Sequence, residues 1–114
     1  MQKLTKSFLF LMLFASSNLF ANEGALLFGG NCVTCHHETR AISAPSMREV
    51  QKQYRAVFGD KKDFVKYLSA FILKPKAENS IMLEKVEKYK LMPLLGYERS
   101  VAEEIASYIY DAEF

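Results

Sequence analysis

Two thiols and an imidazole stand together in the run Cys32-Val33-Thr34-Cys35-His36. A thiol adds its S–H bond across a vinyl group, the sulfur going to one carbon and the proton to the other. Two thiols at this spacing can do so with the two vinyl groups of one haem, and an imidazole directly after the second is then held where a ring nitrogen reaches the iron. The pattern predicts covalent attachment of one haem c through Cys32 and Cys35, with His36 as an iron ligand. A redox-active dithiol and a structural disulfide are the competing readings. A thioredoxin-like C-x-x-C would stand near a βαβ pattern, yet no stretch of this chain sustains the two-residue alternation of a strand.

Iron held by histidine needs a second axial ligand if it is to stay closed to substrates. Met47, Met82 and Met92 compete for that position. Met47 follows His36 closely and fits the inner face of a helix. Met82 falls at an apolar helical position. Met92 precedes Pro93 in a loop-forming stretch far along the chain, which suits an approach to the opposite haem face without bending a helix. Met92 is therefore the predicted sixth ligand, with Met82 as the alternative. Methionine opposite histidine is an electron-transfer arrangement, and it raises the reduction potential. His37 is expected to face solvent, because its neighbour holds it on the wrong side of the ring. Arg40, Arg48 and the tyrosines at 54, 67, 89, 97 and 108 are candidates for contact with haem propionates or with the methionine sulfur. The sequence does not choose among them.

These residues must be positioned by helices. A short helix is expected over residues 23–29, ending at Gly29-Gly30. Ser46-Met47-Arg48-Glu49 has the capping-box form and opens a helix to about Phe58, with Met47, Val50, Tyr54, Val57 and Phe58 inward. Asp60 and Asp63 open the next, whose Phe64, Leu68, Phe71 and Ile72 fit helical spacing until Pro75 stops it. Asn79 or Ser80 starts a shorter helix to about Tyr89, residues 91–97 form a loop, and the last helix runs from about Glu98 to Asp111. Val101, Ile105, Tyr108, Ile109 and Ala112 are its expected inner face.

The first residues have the pattern of an export leader. Lys3 and Lys6 precede an apolar run from Phe8 to Ala15, and Leu19-Phe20-Ala21 forms a small-residue cleavage site. Residues 1–21 are expected to be removed and 22–114 to form one domain in the periplasm, with no membrane anchor, since the apolar run is shorter than the ~20 residues a spanning helix needs. Of the chain's 15 basic and 13 acidic residues, only Lys3 and Lys6 precede the cut, so the remainder is balanced. That balance gives no nucleic-acid footprint. Lysines between 61 and 90 could steer an acidic partner, or simply coat solvated helix faces.

Gly24 and Phe28 before the thiol motif, Ile105 and Tyr108 in the last helix, Ser43-Ala44-Pro45 and Met92-Pro93 occur in an order that resembles the small monohaem class I cytochromes c. The resemblance covers essentially all of residues 22–114. It implies that the first and last helices cross at Gly24, that the Pro45 loop offers a backbone carbonyl to the His36 imidazole, and that Met92 carries the sixth ligand. Ala44 stands where the family usually has glycine. It further implies an all-α, cytochrome c-like fold of about four to five helices wrapped around one haem. The expected activity is that of an electron carrier and not an enzyme, acting as a monomer. Its transient partners would be an oxidase, a peroxidase, a quinol-oxidising complex or a dehydrogenase. The alternatives are a haem subunit of a larger oxidoreductase complex and a haem-based ligand sensor with an open sixth position.

Overall fold

The computed structural model describes residues 23–114, so the expected leader over 1–21 and Asn22 lie outside the described residues. Five α-helices follow one another: α1 Glu23–Asn31, α2 Met47–Val57, α3 Lys61–Leu73, α4 Leu83–Tyr89 and α5 Arg99–Asp111, with a single 3₁₀ turn at Ala77–Asn79 between α3 and α4. There is no strand among the described residues, and the class is all-α. None of these helices is long and apolar enough to cross a membrane.

Local chemistry sets the helix ends. Ser46 Oγ accepts the Glu49 N–H at 3.2 Å, and Asp60 Oδ1 accepts the Asp63 N–H at 2.8 Å. Each satisfies one of the donors left free in a first helical turn. The capping box at α2 is only half formed. The Glu49 carboxylate, which would turn back to its own cap, reaches Lys85 on α4 instead. Met82 was expected inside a helix starting at Asn79 or Ser80. It is the residue just before α4, its N–H donating to Ser80 Oγ at 3.0 Å, because the 3₁₀ turn uses the preceding residues.

The core is organised around α5, against which α1 and α3 both pack. Ile105 and Ile109 are buried as expected, but Ala102 and Ala106 join them, while Val101 and Tyr108 are only partly buried. A helix gripped from two sides buries a broader face than one amphipathic stripe, and its alanines let the neighbours approach closely. The α1–α5 crossing is tight. A Cβ added to Gly24 would lie 2.8 Å from Tyr108 Cβ and 3.0 Å from the Glu104 carbonyl oxygen. Beside it the Phe28 ring packs on Tyr108 at 5.2 Å and on Phe114 at 5.4 Å. On α2, Val57 is exposed and Gln51 is buried in its place. Gln51 Nε2 donates to the carbonyls of Ile109 and Ala112, each at 2.7 Å, tying α2 to the end of α5.

Candidate functional site

The thiol motif continues directly from α1. The Cys32 N–H donates to the Phe28 carbonyl at 2.9 Å, and the His36 N–H to the Cys32 carbonyl at 2.9 Å, so the motif is wound into one compact turn. Next, the His37 ring folds back, its Nδ1 accepting the N–H groups of Thr39 and Arg40, each at 3.1 Å. Expected to face solvent, His37 is in fact partly buried and shapes this turn. The carbonyls of His37 and Glu38 then accept from the N–H groups of Met47 and Arg48, at 3.0 and 2.9 Å. The start of α2 is thereby fastened to the motif.

Inside this clasp, His36 Nδ1 bonds the Pro45 carbonyl oxygen at 2.8 Å. A carbonyl oxygen can only accept, so the proton resides on Nδ1 and Nε2 keeps a free lone pair. Burial holds the His36 pKa below its usual value, with the Pro45 bond opposing part of that shift. Burial thus favours the neutral form of the ring, the form a metal ligand needs. Burial also pushes the Cys32 thiol up to about 11. Nucleophilic cysteines of C-x-x-C oxidoreductases need the opposite, a lowered pKa. Cys32 and Cys35 are both free thiols, the first half-buried and the second exposed.

Cys32, Cys35 and His36 form one side of a cavity with about 1160 Å³ of empty volume, counted to its open mouth. Met47, Val50 and Tyr54 of α2 and Leu68 and Ile72 of α3 make its floor, and the 91–95 loop and α4 complete the wall. The lining is predominantly apolar. Met82 and Met92 both line it, Met82 buried at 9 % exposure and Met92 partly buried beside Pro93. Among the described residues no three His, Cys, Asp or Glu side chains converge as a donor set for a bare metal ion.

The wall formed by α4 is unusual. This helix has seven residues and none of them is buried. Helices this short are unstable alone and depend on packing, yet α4 shares no extensive interface with another helix. It turns Lys85, Val86 and Tyr89 to the cavity. Its tether is the ion pair from Lys85 Nζ to Glu49 Oε1 at 3.0 Å. Accepting this hydrogen bond, Glu49 raises the Lys85 pKa.

From the sequence Lys85 counts only as one of the lysines between 61 and 90, and Arg40 and Arg48 are the candidates for a propionate. Neither arginine lines the cavity. Arg40 lies against the His37 ring and Arg48 donates to the Phe114 carbonyl at 2.8 Å. The Glu49–Lys85 pairing joins residues of α2 and α4, so no local pattern announced it. No protein-family model, curated protein or solved structure matches this chain.

Proposed function

We propose that this protein is an exported monohaem c-type cytochrome that carries single electrons between partners in the periplasm and is not itself an enzyme. One observation carries the proposal. The two thiols, the imidazole and the thioether of Met92 all line one apolar cavity, whose α4 wall has no fully buried residue and no extensive interface with another helix. A flat, largely apolar macrocycle suits that cavity better than water does, and it would supply the core that α4 lacks. Small domains of this kind commonly depend on a cofactor to complete their core.

The roles follow from the residues. Cys32 and Cys35 would tether the haem through its vinyl groups. His36 would offer Nε2 to the iron, while the Pro45 carbonyl fixes the ring and raises its basicity. Met92 is assigned the sixth position, since its loop can bring the thioether inward without distorting a helix. Bound in this way, the haem supplies a one-electron ferric/ferrous couple, whose potential methionine ligation raises. The apolar walls keep water from the ring. His36 and Met92 together would hold the iron from two sides and leave no place for a substrate. On this reading the five-helix frame is a cytochrome c-like wrap around one haem, and partners dock transiently over small interfaces.

A visible spectrum of protein exported from a haem-competent host tests the proposal, with carbon monoxide added to the reduced form. Coloured protein that keeps its haem through acid-acetone extraction and ignores carbon monoxide supports the carrier. Coloured protein that binds the gas rapidly at neutral pH makes it a sensor with an open sixth position. A colourless product with free or disulfide-linked thiols overturns the haem.

A further inference from the structure

We propose that Lys85 is the cationic partner of a haem propionate, aimed by Glu49 from behind. This inference rests on the haem reading above. Two carboxylates lie along one edge of a haem, and a carboxylate drawn out of water needs a cation or several donors to stay ionised. Among the described residues no arginine lines the cavity, and its only cationic side chains are Lys85 and Lys90. Lys90 is exposed, with its Nζ 3.4 Å from the Glu87 carbonyl oxygen. Lys85 is different. Its side chain is 22 % exposed and its ammonium is held 3.0 Å from Glu49 Oε1.

Glu49 is not part of the cavity lining, so it grips the ammonium from outside and holds it at the rim. An ammonium has three donors, and the bond to Glu49 engages one. Ser80 also lines the cavity. Its Oγ already accepts the Met82 N–H, which leaves the hydroxyl proton to donate to a carboxylate. The arrangement fastens α4, the least packed helix, to the acidic edge of the haem. The positive charge of Lys85 would offset the negative charge of the propionate, which favours the reduced state.

The test is made on holoprotein, comparing wild type with Lys85→Gln, Lys85→Arg and Lys88→Gln. Lys88 is an exposed residue of α4 outside the cavity lining. Spectroelectrochemical titration should show Lys85→Gln moving the ferrous-to-ferric equilibrium about three- to tenfold toward ferric, tenfold being about 59 mV for a one-electron couple. Lys85→Arg should restore most of the wild-type value, and Lys88→Gln should move it less than about twofold because its charge is screened by solvent. The propionate vibration in the resonance Raman spectrum should shift in Lys85→Gln and stay in place in Lys88→Gln. A Lys85→Gln protein with unchanged equilibrium and unmoved propionate band overturns the assignment while leaving the haem intact. A colourless wild-type protein refutes the haem itself.

Discussion

Where α1 crosses α5, the Gly24 backbone lies directly against α5. Gly24 admits the Tyr108 side chain so closely that a methyl group would collide, and Phe28, Tyr108 and Phe114 close the seam with aromatic rings. Across the molecule, α4 faces α2 and α3 over an open apolar cavity, and an ion pair is its main tether. Both regions are rich in large apolar residues, but only the first satisfies them with protein. The contrast separates helices packed against one another from a wall that, on the proposed reading, a haem completes.

On the proposed reading, preventing haem attachment should have the largest effect. A variant with Cys32 and Cys35 both replaced by alanine, unable to tether haem, should lose amide-exchange protection throughout α4 and the 91–97 loop. Its thermal transition should cease to be cooperative. Holoprotein-like protection of α4 in that variant would break the comparison, because the wall would then be stable alone. Next in size is ligand replacement. Met92→Ala should lower the potential and let the reduced protein bind carbon monoxide, whereas Met82→Ala should loosen packing and leave the gas excluded. The reverse result would move the sixth ligand to Met82.

Within the frame the effects are graded. Gly24→Ala should destabilise holoprotein by about 1–3 kcal/mol in denaturant titrations, because the new methyl forces the crossing helices apart. Gly29→Ala, with open space around its added Cβ, should instead stabilise by about 0.4–1 kcal/mol. Equal effects at the two glycines would deny the frame its tight seam. The smallest effect is a pH dependence at the boundary between the regions. Burial pushes the Tyr54 hydroxyl up to about 12 from its ordinary 10.0. The folded state thus holds this proton more tightly than the unfolded chain, so the stability is fully present below about pH 10 and lost as pH rises through about 12. Tyr54→Phe should flatten that alkaline limb, as followed by unfolding at increasing pH.

Much of the frame was legible from local signals. Ser46 and Asp60 cap helices where their side chains say they should, and Pro75 follows the end of α3. Gly24, Phe28 and Tyr108 meet in space as the resemblance implied, and the His36 ring reaches the Pro45 carbonyl. The misses have a common cause. Gln51 is buried because two carbonyls at the far end of the chain receive its amide, and Val57 is exposed where helical spacing had turned it inward. Arg48 is committed to the Phe114 carbonyl at the far end of the chain, a neighbour that no short pattern includes.

Side-chain chemistry and chain-local geometry are properties of the sequence itself. Thiol spacing, cap residues, a proline stop and helical periodicity act over one or two turns, so they can be read without knowing the fold. Which polar group answers which across the molecule is settled only when distant helices come together. The diversion of Glu49 from its own cap to Lys85, and the bare inner face of α4, exist because α2, α3 and the 91–97 loop enclose a space their own side chains leave open. Packing is a many-body outcome of the whole chain, and it made Lys85, rather than any arginine, the cation held half-buried at the edge of that space.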